Sequence, residues 1–245
     1  MAYIHQHITR RKFIRTIAGT TAYGLAGLSL KAGADAVYDS SEIPFIGITE
    51  DGPLYPPVEI PWDDDLTRTG STGGVAQGSP LYLFGRILTR QGRPLKNAVV
   101  EIWQTDFNGN YLHPKAWSQD ELDPNFGYFG KVKTNEEGFY LFRTIRPRWY
   151  LLKGLPGTPE EGLPRAAHIH MKIKHVEQGV QTTEAYFDNA SHEEIAPIDQ
   201  VFLSRPKRVR DRILLAENSP KDYRDLGFEF EDGAICCRYD LAFLL

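Results

Sequence analysis

Along most of this chain apolar residues come in short runs, not at helical spacing. The runs are LYLFGRIL (81–88), VVEIWQ (99–104), FYLFRTI (139–145), AHIHMKIKH (167–175), TTEAYF (182–187) and ICCRYDLAFLL (235–245). Each is rich in β-branched and aromatic residues and is bounded by turn residues, as in TRQGRP and NGN. Helical periodicity is weak. The best helical segment is 207–216, with Ser204 and Pro206 as start signals. There is no internal repeat and no low-complexity tract. Strands at this spacing close a core most readily as two packed sheets, so the pattern predicts an all-β sandwich. Long loops at 107–130 and 151–164 and a short helix near the C-terminus complete the expected fold; loops of that length are usually functional.

Segment 37–79 breaks the pattern. It is rich in Pro, Gly, Asp and Ser, with GPLYPPVEIPW and GSTGG inside it, and reads as an irregular arm. Ahead of it, Arg10 and Arg11 precede a weakly apolar run, IAGTTAYGLAGLSL, and then Ala34 and Ala36 in an A-x-A arrangement. This order resembles a twin-arginine export signal, against the alternative of a basic N-terminal arm. The run is too short and too polar for a membrane anchor. The expected organisation is a signal at 1–36, the arm at 37–79 and a catalytic sandwich at 80–245, exported to the periplasm or the cell exterior. That route carries folded proteins, often with a cofactor already inserted.

Composition narrows the function classes. The 245 residues carry a formal net charge of −4, which gives no electrostatic reason to expect nucleic acid. Glycine (22) and proline (16) are plentiful, in keeping with many turns. The two cysteines, Cys236 and Cys237, are adjacent. Neighbouring Cα atoms lie ~3.8 Å apart, short of disulfide geometry, and in a strand the side chains face opposite ways. They read as small apolar residues of the last strand.

The chemistry gathers around RAAHIH. In a strand His168 and His170 share a face, while Ile169, Met171 and Ile173 fill the other. The histidine face continues as Lys172 and Lys174, which implies that it runs out toward solvent. Two imidazoles on a half-open face suit chelation of a metal; the plainer reading is two surface or hydrogen-bonded histidines. No third ligand is obvious among His5, His7, His113, His175 and His192, and no carboxylate lies at H-x-x-E spacing. Two tyrosines at loop edges stand out, Tyr111 in WQTDFNGNY and Tyr150 in RTIRPRWY. Each alone reads as a packed aromatic.

GRPLKNAVVEIWQTDFNGNYLH, LDPNFGYFGKVKTNEEGFYLFRTIRPRWY and RAAHIH, in that order, resemble the intradiol ring-cleavage dioxygenases. This is the group of protocatechuate 3,4-dioxygenase and catechol 1,2-dioxygenase. The similarity covers about 81–187, and CRYDLAFL looks like the group's last strand. The resemblance implies one non-haem Fe(III) per chain, held by Tyr111, Tyr150, His168 and His170. It implies a catechol substrate, cleaved by O2 between its hydroxylated carbons to a muconate-type diacid. Tyr150 matches the ligand that leaves as substrate binds and acts as an internal base. Arg165 matches the arginine that steadies negative charge on the ring. Phenolate oxygen is a hard anionic donor suited to a ferric ion, and a bound cation can deprotonate a tyrosine outright. Zinc, which favours thiolate and imidazole in closed tetrahedra, fits this donor set poorly.

Some positions depart from the family pattern. Glu184 stands where glutamine is common; it either pairs with Arg165 or points to solvent. Arg148-Trp149 replace the usual Gly-Pro before Tyr150, and the 151–164 loop is longer than in the protocatechuate enzymes. Gly52, Pro53 and Tyr55 either line the pocket or belong to an ordinary proline-rich arm. Trp103 either borders the site or packs in the core. Asp106, Asn108 and Gly109 read as turn residues. Two other readings compete: a metal-free β-sandwich module of the transthyretin-like or carboxypeptidase-regulatory kind, and a zinc hydrolase that lacks a third ligand. The long N-terminal helical region of the catechol 1,2-dioxygenases is missing, so their helical dimer is not expected; sandwich edges leave room for another homo-oligomer.

Overall fold

The structure is a computed structural model that describes residues 51–70, 73–116 and 121–243. The expected export signal and the first part of the arm lie outside the described residues. Eleven strands are described, with short helices after the eighth. β1 (Pro80–Leu88) pairs antiparallel with β4 (Phe139–Ile145) and parallel with β10 (Ile235–Arg238) and β11 (Leu241–Ala242). The second sheet has the order β3 (Phe129–Lys133), β2 (Val99–Gln104), β7 (His168–His175), β8 (Gly179–Asp188), β9 (Leu214–Ala216). β5 (Tyr150–Leu152) and β6 (Leu163–Arg165) form a separate two-stranded ladder. The all-β expectation holds.

The core lies between the two large sheets. Leu81, Leu83, Ile87 and Phe142 from one sheet pack with Val100, Ile102, Ile169, Met171, Ile173 and Phe187 from the other. β1 has no polar alternation because both its faces are covered. Tyr82 and Phe84 turn outward under Phe139, Tyr223, Phe230 and Cys236, while Leu81 and Leu83 turn inward. Cys237 joins the main core and Cys236 the outer cluster, and both are free thiols. Opposite faces and small apolar roles are thus observed for the pair.

Several sequence expectations need correction. The predicted 207–216 helix ends early: α3 spans Lys207–Ile213, and Leu214–Ala216 is β9. Leu214 and Leu215 sit opposite Tyr186 and Phe187, so sheet pairing ends the helix. Ser204 does not cap it; its hydroxyl donates to the Val201 carbonyl at 2.8 Å. Two further short helices, α1 (Ala190–Ile195) and α2 (Gln200–Leu203), start at Asn189 and Asp199, whose side chains accept from backbone N–H groups. The 107–130 loop is shortened by β3, and the ends of the 151–164 loop pair with each other as β5 and β6.

The described part of the arm is irregular yet packed. Leu54, Ile60 and Leu66 are buried. Trp62 bridges to Lys131 and Asp65 to Arg143, one contact on each large sheet. A Cβ on Gly130 would stand 2.4 Å from the Asp63 carbonyl oxygen, so only glycine lets the arm lie this close.

Candidate metal centre

Strand register assembles the centre. His170 on β7 faces Trp103 of β2 on one side and Glu184 of β8 on the other. His168 faces Tyr186. Tyr150, the first residue of β5, lies opposite Arg165 of β6. Tyr111 follows a turn built by Asp106, whose Oδ1 accepts from the N–H groups of Asn108 (2.8 Å) and Asn110 (2.9 Å). Asp106 Oδ2 accepts from the Tyr128 hydroxyl at 2.8 Å, so the turn is fixed to its own loop. Gly109, with φ +91°, lets the turn pass over the Trp149 carbonyl, where a Cβ would stand at 2.8 Å. The two tyrosine loops are joined further down. Gln104 donates to the Ile145 carbonyl (2.9 Å) and Thr105 to the Arg148 carbonyl (2.8 Å). The roles of Asp106 and Gly109 are those of turn residues, as expected.

Four rings meet as a result. Ring centroids are 4.6 Å apart for His168 and His170, 5.1 Å for Tyr111 and Tyr150, 5.8 Å for Tyr150 and His168, and 6.2 Å for Tyr111 and His170. All four are buried. The half-open histidine face expected from Lys172 and Lys174 is therefore wrong for the histidines. The arm covers them: a Cβ on Gly52 would stand 3.8 Å from His170 Cε1, and Leu54 packs with Trp103, Tyr111 and Tyr150. Asp51 fastens that cover, pairing with Lys172 and accepting from Thr182 Oγ1 at 3.0 Å. Pro53 stays exposed. Tyr55 stands behind Trp103, its ring edge-on at 5.0 Å and its hydroxyl donating to Glu101 at 2.9 Å. Trp103 is both core and site wall, 1% exposed and stacked on His170.

The donor set fits a cation. His168 Nδ1 is bound to the Ala166 carbonyl at 2.6 Å, which leaves Nε2 bare. That Nε2 is 3.1 Å from His170 Nε2, a contact that needs either a proton or a cation between the two nitrogens. Burial, reinforced by Arg165 and by His170 itself, holds the His168 pKa well below its ordinary value. Burial takes His170 down to about 4, against the pull of Glu184. Both rings are thus neutral nitrogen donors at neutral pH. Tyr111 Oη is buried without a hydrogen-bond partner of ordinary geometry. Burial and the Tyr150 hydroxyl push its pKa well up, and burial also raises that of Tyr150, with Arg165 opposing. An orphaned buried phenol beside two bare imidazole nitrogens is a costly arrangement that a hard cation would repair.

Glu184 supplies the carboxylate that local spacing did not reveal. It is buried and groups with His168 and His170 within 4.8 Å. It pairs, and does not point to solvent. Its Oε1 is 3.4 Å from Arg165 Nη2 and 3.7 Å from His170 Nδ1, the ring nitrogen away from His168. Its Oε2 meets Arg205. Burial would raise its pKa, but His168 and His170, which act on it only when protonated in acid, and the two arginines overcome that and bring it down to about 2. Arg165 is also held by Asp199, Nε to Oδ1 at 3.2 Å, and by the Tyr186 hydroxyl at 3.0 Å. Asp199, Arg205 and Tyr186 escaped the sequence reading. Only Asp199 carried a local signal, as a cap before QVFL.

Comparison with known proteins agrees with this geometry. A family model described as "Dioxygenase" matches residues 50–232. The protocatechuate 3,4-dioxygenase beta chain of Burkholderia cepacia is 31% identical over 183 residues, 73% of this chain and 74% of that protein. Catechol 1,2-dioxygenase 2 of Acinetobacter lwoffii is 34% identical over 137 residues, 51% of this chain but only 45% of that protein. Among solved structures, hydroxyquinol 1,2-dioxygenase of Pseudomonas putida DLL-E4 shares the fold with a TM-score of 0.61 at 20% identity. That match covers 82% of this chain and 66% of the other. The choice between enzyme and metal-free module falls to the enzyme, and this chain belongs to the intradiol ring-cleavage dioxygenase family.

Proposed function

We propose that the protein is an exported, non-haem Fe(III) enzyme that cleaves a catechol-type ring between its hydroxylated carbons with O2. One observation carries the reading. Two buried phenols and two neutral imidazoles from three separate segments converge, and one phenol oxygen is orphaned. Tyr111, Tyr150, His168 and His170 would hold the iron, one ion per chain. Two phenolate oxygens offset much of a ferric charge, which neutral imidazoles alone would not. Bound there, Fe(III) supplies a Lewis acid and a template that makes the catechol ring electron-rich toward O2.

The chain's own groups do the rest. Ionised by a bound cation, Tyr150 Oη would be the base that receives a catechol proton; burial raises its pKa, and Arg165, opposite it across the β5–β6 ladder, offsets part of that cost. Arg165 then faces negative charge growing on the ring carbon as the diacid product forms. Trp103, stacked on His170, and Leu54, packed on Trp103, keep water from that ring. Tyr111 also borders an open cavity of about 600 Å³ beside Leu112, Leu122 and Phe129, whose lining includes none of Tyr150, Arg165, His168 or His170.

Export by the twin-arginine route, with 1–36 as signal and 80–245 as the catalytic sandwich preceded by the arm, rests on Arg10-Arg11, the apolar run and Ala34-x-Ala36. No helix among the described residues is long and apolar enough to cross a membrane. The decisive experiment is to load the purified protein with Fe(III), record its visible spectrum, and follow oxygen uptake with catechol, protocatechuate and hydroxyquinol. A burgundy tyrosinate band with uptake on at least one catechol is expected. A protein that binds iron without colour would sink the ligand assignment.

A further inference from the structure

The two arginine partners of Glu184 are not equal. Its Oε2 makes its tightest contact with Arg205, whereas Oε1 stands 3.4 Å from Arg165 Nη2, a long and weak approach. Arg205 lies between α2 and α3 and is itself held: Nη1 donates to the Val201 carbonyl at 3.3 Å. The Tyr186 hydroxyl sits among all three groups, accepting from Arg165 at 3.0 Å and donating to Glu184 at 3.3 Å. Arg165 has its own dedicated counter-charge in Asp199, which is fully buried. The cluster thus holds two guanidinium groups and two carboxylates, and sums to zero only with Arg205 present.

We propose that Arg205 is a positioning residue that acts through Glu184. It draws the Glu184 carboxylate to itself and away from Arg165, so the Arg165 charge stays directed at the reacting ring. It also holds the carboxylate on the Nδ1 side of His170, out of the space shared by the two Nε2 atoms. Without Arg205 the carboxylate is a buried, uncompensated charge whose nearest cation is Arg165, and it would close on that group. The part that concerns turnover rests on the proposed role of Arg165; the pairing of Arg205 with Glu184 does not.

The test is a double-mutant cycle of Arg205→Met and Glu184→Gln, with two readouts. Iron-loaded proteins are assayed by oxygen uptake with the best catechol of the panel. Metal-free proteins are unfolded thermally. Arg205→Met is expected to lower kcat about tenfold or more while KM stays within about twofold, because a transition-state charge is quenched. Adding Glu184→Gln should return kcat to within about threefold and recover most of the lost melting temperature, since the neutral amide has no charge to press on Arg165. Arg205→Lys keeps the charge but loses the forked contacts to Tyr186 and Val201, so its kcat should fall between those of the parent and Arg205→Met. A double variant no better than Arg205→Met, or an Arg205→Lys as weak as Arg205→Met, would overturn the proposal. If the parent consumes no oxygen with any catechol, the proposed function fails by itself. The thermal cycle then still decides the coupling: additive changes in melting temperature refute it.

Discussion

Trp103 lies flat against His170, with ring centroids 4.8 Å apart and planes 3° from parallel. The two residues are cross-strand partners on β2 and β7, so the sheet itself enforces the stack. The indole fixes the plane of a ring whose Nε2 must point at His168. Trp103→Phe should keep most of this support. Trp103→Ala should cost about 3 kcal/mol or more in urea unfolding, as buried Trp truncations do, and weaken iron retention against a chelator. Iron retention equal to that of the parent would show that the indole is only packing.

Tyr111 sets stability against function. Its hydroxyl is buried, and its polar neighbour, the Tyr150 hydroxyl, lies outside ordinary hydrogen-bond geometry, so removing it costs the metal-free protein little. Tyr111→Phe should leave metal-free stability unchanged or raise it by up to about 1 kcal/mol. The same change should strip most of the visible band from the iron-loaded protein. Tyr150→Phe should also bleach the band, and in addition slow catechol binding, because Tyr150 Oη is the proton acceptor. Stopped-flow mixing with catechol separates the two variants. Equal binding rates would remove the base role from Tyr150.

Which of these relationships could be read from the chain depended on the range of the forces that make them. Period-two alternation is local, so His168 and His170 on one face, with Ile169 and Met171 on the other, were legible. The adjacent cysteines were legible for the same reason. Tyr111 and Tyr150 became ligand candidates only through resemblance, since nothing local distinguishes them from core aromatics. Glu184 stands out in the sequence, but its proximity to His170 depends on the register of the β7–β8 hairpin, which spacing rules do not see. Lys172 and Lys174 mislead about the burial of the histidines, because their ammonium groups are taken up by Asp51 of the arm and by buried Glu101 and not by solvent. The helix at 207 was overextended because Leu214 and Leu215 suit either state, and pairing with β8 decides for strand.

Cys236 and Cys237 should be chemically silent in the folded protein. Burial raises the Cys236 thiol to about 11, and burial raises Cys237 further. A raised thiol pKa means less thiolate at a given pH. At pH 8 roughly one Cys236 in a thousand would be ionised, and the thiolate is the reacting form. An aromatic disulfide reagent at pH 8 should therefore label neither thiol in native protein within minutes, and both after guanidinium unfolding. Rapid labelling of the native protein would mean that the cover formed by Tyr223 and Phe230 opens readily.

Asp199 offers the sharpest test of how the site is supported from behind. It is fully buried and serves three elements at once. Oδ1 accepts from the Phe202 N–H at 2.9 Å and caps α2; Oδ2 accepts from the Ala166 N–H at 2.9 Å; and both oxygens face Arg165 Nε. Asp199→Asn keeps the shape but loses the charge and one acceptor. Arg165 then has only the shared Glu184 as counter-ion, inside a buried cluster. Breaking a buried pair from one side costs about 3–5 kcal/mol, and the cap adds about 1 kcal/mol if Oδ1 is the atom lost. A loss of about 3 kcal/mol or more is expected in urea unfolding of the metal-free protein. The cause can be isolated on an Arg165→Met background, where no buried cation remains to be stranded. There Asp199→Asn should cost much less, because the carboxylate has already lost the buried cation that it compensates. The same cost on both backgrounds would assign Asp199 to capping alone and leave Arg165 without a dedicated counter-charge.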